Sequence, residues 1–311
     1  MRLEWNKLGR IFTASGQFGW INSHAQVPTA LVLGDRIRIY FATRPTSGFS
    51  LTTYIDVDID DPLRVININE KPILEAGAVG MFDEFGIMPS HAIRRNDEIW
   101  LYYGGWSRQI NTPYSNWTGL AVSHDNGATF EKAFKGPILD RTPNEVYSAT
   151  APCLFQHDGL FHMWYASGIA WHEVGGGLEE EYTIMHATST DGLCWKREGV
   201  PILENDKFLI EPKHRPAVFV HDGVFHMLFC YRSVSDFRDG LNSYRLGLAK
   251  SEDLKHWTRS DGDAGLLCSS EGWDSKMIAY PYIVNARGRT LMFYNGNGFG
   301  AEGFGVAELK K

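Results

Sequence analysis

Pro137-Ile138-Leu139 is followed by Pro201-Ile202-Leu203, preceded by Pro72-Ile73-Leu74 and echoed in Gly265-Leu266-Leu267. The closing leucines stand 65, 64 and 64 residues apart. A fixed period of this length marks a repeat architecture, in which each unit buries its apolar faces against its neighbours.

Every unit has the same grammar. A Pro-bearing segment opens it: Val27-Pro28-Thr29, Met88-Pro89-Ser90, Ala151-Pro152-Cys153, Arg215-Pro216-Ala217 and Tyr280-Pro281-Tyr282. A tight turn follows, as in His157-Asp158-Gly159 and His221-Asp222-Gly223, and then an aromatic-rich strand, as in Phe161 to Tyr165. Gly, Asp and Asn between apolar runs signal hairpins. A third strand (Gly119 to Val122, Gly247 to Ala249) and a short fourth with an aromatic (Phe130, Trp195, Trp257) complete the unit. Such antiparallel four-stranded units leave open edges, and radial packing is the way to protect them. The prediction is an all-β fold: one five-bladed β-propeller domain over residues 1–311, with four antiparallel strands per blade. Pro cannot donate to a β-ladder, so the Pro-bearing strands are expected at the edge facing the channel. The fifth unit runs out near Ala307-Glu308-Leu309. The N-terminal segment around Trp5 and Ile11-Phe12 is expected to join it and close the ring.

Bulk properties narrow the function. A net charge of −7 without a basic stripe argues against nucleic acid. No apolar run approaches a membrane span, and Met1 to Trp5 does not open a signal-peptide core, so the expected location is cytoplasmic. Cys153, Cys194, Cys230 and Cys268 lack metal-ligand spacing and read as free thiols. His24, His91 and His214 lie near the prolines, but no close-spaced ligand pair accompanies them, and neither metal nor other cofactor is expected.

Aligning the units on their prolines brings charged residues to the channel mouth. Glu84 and Glu211, five residues upstream of their prolines, are expected to face each other as a catalytic pair, with Glu145 and Asp274 next in line. Glycosidic chemistry needs one carboxyl held protonated and one ionised. The alternative for each acid is a local ion pair. Expected substrate contacts near the prolines are His24, Gln26, Asp83, His91, Tyr147, His214, Arg215, Lys276 and Tyr280. A second set lies where the aromatic strands end: Arg44, Trp106, Arg108, Trp171, Arg232 and Asn295. Arginine suits carboxylate or phosphate, and Trp suits sugar faces. The insertion 169–183 carries Gly175 to Gly177 and is expected to be a mobile lid, its run Glu179-Glu180-Glu181 a solvated rim.

Ser123-His124-Asp125, Ser189-Thr190-Asp191 and Ser251-Glu252-Asp253 form one Ser-x-Asp turn motif. With the five-fold count, the motif resembles the five-bladed propeller glycosidases of families 32, 43, 62 and 68, with the related family 130 phosphorylases. The resemblance spans the chain and implies glycosidic chemistry at the channel mouth. The three carboxylates of those families do not map. The Asp before the first-blade Pro is here Val27 after Gln26; Ser90 and His91 follow Pro89; Thr150 and His214 stand where the acid would be. The expected function is cleavage or transfer of a glycosidic bond by paired carboxylates, on a carbohydrate made anionic to suit the basic mouth. The alternatives are a non-catalytic carbohydrate-binding propeller, a glycoside phosphorylase or transferase, and a protein-interaction scaffold.

Overall fold

The computed structural model describes residues 2–46, 48–203, 209–238 and 240–310. Strand β1 (Trp5–Phe12) leads into five antiparallel sets. The first is β2 (Ser23–Leu33), β3 (Arg36–Arg44), β4 (Leu51–Asp58) and β5 (Val65–Ile68). The second is β6 (Gly86–Arg95), β7 (Glu98–Ser107), β8 (Ser115–Ser123) and β9 (Glu131–Lys132). The third is β10 (Ala149–His157), β11 (Leu160–Val174), β12 (Gly177–Ser189) and β13 (Lys196–Pro201). The fourth is β14 (Lys213–His221), β15 (Val224–Tyr231), β16 (Arg245–Ser251) and β17 (Thr258–Arg259). The fifth is β18 (Ala279–Ala286), β19 (Arg289–Asn295) and β20 (Phe304–Leu309), with β1 antiparallel to β20 from Trp5↔Leu309 to Phe12↔Phe304. No described helix is long and apolar enough to cross a membrane.

The turns form as their residues dictate. Asp158-Gly159, Asp222-Gly223 and Arg287-Gly288 all take positive φ, the geometry that matches a two-residue turn to strand twist. The Ser-x-Asp motifs are hairpin caps: Ser189 Oγ accepts from the Asp191 and Gly192 amides, and Asp191 Oδ1 from those of Leu193 and Cys194. Those amides are the main reason the Asp191 carboxyl is held down at about 2.

All five prolines lie in the first strand of their set. These strands touch in succession: β2 with β6, β6 with β10, β10 with β14, β14 with β18, and β18 with β2. Each is bulged at its proline. In four sets the residue before Pro is turned to positive φ: Val27 at 52°, Ala151 at 52°, Arg215 at 55° and Tyr280 at 55°. Left-handed backbone costs a non-glycine residue roughly 1–2 kcal/mol. Its effect is to swing the pre-Pro side chain out of the alternating pattern and toward the space the five strands enclose.

Within three of the sets a polar triad recurs: an acid just ahead of the first strand meets a Tyr of the second and a cation on the outermost. Asp83 bonds Tyr103 at 3.0 Å and Lys132 of β9 at 2.6 Å. Glu145 bonds Tyr165 at 3.0 Å and Arg197 of β13 at 2.8 Å. Asp274 bonds Tyr294 at 2.9 Å and Lys7 of β1 at 2.6 Å. Glu211 bonds Arg259 of β17 at 2.6 Å, whose guanidinium lies 4.9 Å from the Tyr231 ring. In the fourth set Phe229 stands at the tyrosine position, and in the first set Phe41 does. It packs on Phe12 at 5.0 Å and Phe304 at 5.7 Å, an apolar substitute for the triad. Lys7 thus occupies in the fifth set the role of a fourth-strand residue.

Candidate active site

Where the first strands meet lies a cavity of about 550 Å³. All five contribute to its floor, through Gln26 and Val27, Met88 to Ser90, Thr150 and Ala151, His214 and Arg215, and Tyr280. Four of these are the pre-Pro residues in left-handed conformation. The walls come from strand ends and loops.

Glu180 is the cavity's buried acid, 2% exposed. Its Oε1 accepts from Ser148 Oγ at 2.6 Å, and Tyr114 also hydrogen-bonds the carboxyl. Burial pushes its pKa up to about 7, against the opposing pull of those hydroxyls and the Arg232 charge. The residue gets there because β11 and β12 run on as a paired hairpin to Val174↔Gly177, with a bulge between Gly168 and Ala170. The 169–183 insertion is therefore ordered sheet, and its glutamate run is not a solvated rim: alternation buries Glu180. Gly168 makes the room. A methyl there would overlap Glu180 Oε1 and come within 2.7 Å of Ser148 Oγ. Gly168→Ala is expected to push the carboxyl off Ser148 and to cost about 1–3 kcal/mol of stability, the usual result of overpacking a filled site. Urea unfolding of the variant against the native chain checks this.

The remaining charge is mostly positive. Arg215 is fully buried and, among the described residues, donates to neutral acceptors: Pro89 O at 3.0 Å, Pro28 O at 3.4 Å and Thr29 Oγ1 at 2.7 Å. Burial pushes its pKa down to about 10. Arg44 bonds Gln26 Oε1 at 3.0 Å, and burial lowers its pKa too. Among the described residues neither arginine has a carboxylate in ion-pair range. Arg232 and Arg238 share Glu179, at 3.7 and 2.7 Å. His214, wedged against Tyr182 and Tyr280, is driven down to about 3 by burial and by Arg215 and Arg232, so its ring is neutral.

Of the residues expected from sequence, Gln26, Arg44, Trp106, His214, Arg215, Arg232 and Tyr280 line the cavity. Three stand behind its walls. Asn295 clamps the β2 bulge, accepting from Val27 N at 2.7 Å and donating to Ala25 O at 2.7 Å. His91 packs on Tyr282 beside Arg215, and Trp171 meets the edge of Tyr114 at 5.2 Å. His24, Arg108, Tyr147 and Lys276 are not among the lining residues. Arg108 covers Phe85, Tyr147 is 40% exposed, and the main chain of Lys276 bonds Arg245 and Asn297.

The four acids expected to be catalytic do not line the cavity either. Glu145, Asp274 and the expected substrate ligand Asp83 hold the triads inside their own sets, and Glu211 pairs with Arg259 of its own set. Glu84 turns back onto the Gly80 amide at 2.7 Å. Glu84 and Glu211 therefore do not form a facing pair across the cavity. Spacing from the proline located the ion-pair position of the repeat, whereas the acid of the cavity belongs to an insertion that only one unit has.

No family model matches the chain. It is 35% identical over 309 residues to "Uncharacterized protein MT1551" of Mycobacterium tuberculosis (strain CDC 1551 / Oshkosh), covering 99% of this chain and 100% of that protein. It is 25% identical over 200 residues to the 1,2-beta-oligomannan phosphorylase of Thermoanaerobacter sp. (strain X514), covering 63% of this chain and 59% of that one. Among solved structures, a glycosyl hydrolase from Bacteroides ovatus superposes with a TM-score of 0.75 at 13% identity, covering 99% of this chain and 94% of that one. A thermostable family-43 glycoside hydrolase gives 0.64 at 16% identity, over 93% and 88%. The chain belongs to one family with the M. tuberculosis protein MT1551, and its fold is that of the propeller glycoside hydrolases of the family 43 and family 32 kind.

Proposed function

We propose that residues 1–311 form one five-bladed propeller, closed by β1 in the last blade, and that it breaks a glycosidic bond by transfer to an oxyanion of the phosphate class. One observation carries this reading: among the described residues the cavity holds one carboxyl outside any ion pair, Glu180, and is lined as well by Arg44 and Arg215, which have no carboxylate partner. Hydrolysis by paired carboxylates needs two such groups roughly 5–10 Å apart. The other acid of the cavity, Glu179, is tied to Arg238 and Arg232. A bound phosphate takes the place of the second carboxylate. Glu180 gives its proton to the glycosidic oxygen as the bond from that oxygen to the anomeric carbon breaks. A phosphate oxygen bonds the anomeric carbon, and the proton of hydrogen phosphate restores Glu180. Half-buried Trp106, fixed through Nε1 to Ser50 Oγ at 2.9 Å, offers its ring to a sugar face. The match to a protein named as an oligomannan phosphorylase supports the reading. A cytoplasmic location goes with it: inorganic phosphate is abundant there and the four cysteines stay free thiols.

The test is product analysis on an oligosaccharide panel with and without inorganic phosphate. Sugar phosphate is expected, and equal release of free sugar without phosphate would overturn the reading. Phosphate or sulfate should also raise the melting temperature where chloride at equal ionic strength does not. At a hundredfold excess over the dissociation constant the gain is about 2.7 kcal/mol.

A further inference from the structure

Glu180 and Tyr182 are two apart on β12 and share one face of the strand, so both project into the cavity. The Tyr182 hydroxyl lies 2.6 Å from that of Tyr244 and 3.4 Å from Arg232 Nη2. A guanidinium only donates, so the Tyr182 oxygen accepts from Arg232. Tyr244 is 1% exposed and packed on Tyr280 and Phe299. Among the described residues its hydroxyl hydrogen has no acceptor except Tyr182. Tyr244 therefore donates, the Tyr182 oxygen takes two hydrogen bonds, and the Tyr182 hydrogen is left for the cavity. Accepting two bonds, one from a cation, makes that O–H a stronger donor.

Arg232 cannot easily do this work itself. Its guanidinium lies 3.6 Å from the centre of the Phe237 ring, and its Nη1 donates to Ser233 O at 2.8 Å. We infer that Tyr182 hydrogen-bonds the bound oxyanion and passes the polarisation of the covered Arg232 to it. This rests on the anion reading above and deepens it, making Tyr182 the residue that couples the anion to the wall bearing Glu180.

The test is calorimetric titration with sulfate, which does not change its charge near neutral pH, on the native chain, Tyr182→Phe and Tyr244→Phe. Tyr182→Phe is expected to weaken sulfate roughly 10- to 100-fold, the range for a hydrogen bond to a charged group. Tyr244→Phe, which removes the donor to Tyr182 together with a partner of Arg232, should weaken it by about two- to fivefold and stands in if the first variant does not fold. A lowered melting temperature with sulfate affinity unchanged in both variants would mean a structural role and overturn the inference. A native chain that binds neither sulfate nor phosphate overturns this inference and the anion reading together; tight native binding with no loss in the variants sinks this one alone.

Discussion

Glu180→Gln is expected to lower sugar phosphate formation by about a thousandfold, within the usual range for removing a general acid, while the anion still binds. The amide keeps the shape and the contact with Ser148 but has no proton to give. On the proposed mechanism only the protonated form of the native chain is active. With its pKa at about 7, the rate should be flat below that value and fall tenfold per pH unit above it. The same substitution has an opposite effect on stability. The folded pKa lies above the unfolded value of 4.5, so folding favours the protonated carboxyl. Below about pH 4.5 both states are protonated and burial of this group carries no charge penalty. As pH rises toward 7 the penalty grows, and above 7 it levels off on the order of 3 kcal/mol. Glu180→Gln removes it. The variant should be more stable than the native chain at pH 8 and no more stable at pH 4, by urea unfolding at both. A variant that is inactive and also less stable at pH 8 would mean the residue is structural.

Glu145→Ala is expected to do the reverse: a loss of about 3–5 kcal/mol in stability, the usual result of stripping one partner from a buried ion pair. Glu145 is 1% exposed, and its loss strips Arg197 of its carboxylate and the Tyr165 hydroxyl of its acceptor, leaving Arg197 only the Tyr165 oxygen and the Asp140 carbonyl. Turnover per folded molecule should be unchanged, because the triad lies outside the cavity. Urea titration followed by kinetics on the folded fraction separates the two effects. A large drop in turnover with stability intact would return Glu145 to the mechanism.

The two variants mark how far the chain could be read before it folds. The prolines, the two-residue turns and the Ser-x-Asp caps act within a few residues of themselves, so each could be assigned from its neighbours and each is where the reading put it. Arg44, Trp106, His214, Arg215, Arg232 and Tyr280 were legible because they recur at fixed offsets from repeat landmarks, and the repeat maps offset onto place. The same logic misplaced Glu145, Glu211 and Asp274. A recurring acid is more often part of what most units need, here the bond from the entering loop to the outer strands of its own set, than of what the central cavity needs.

Glu180 broke no local rule that would have marked it. Three successive glutamates look solvated until the hairpin is known to run over the cavity, where period-two alternation buries the middle one and leaves Glu179 to Arg238. Local chemistry along the chain thus settled the strand-rich class, the turns and the positions near the prolines, because those depend on backbone geometry and short-range hydrogen bonds. Which acid is dry enough to keep its proton near pH 7, and which arginines lack a counter-ion, depends on burial and on partners from three different units. Both are properties of long-range packing, and they exist only once the sheets have come together.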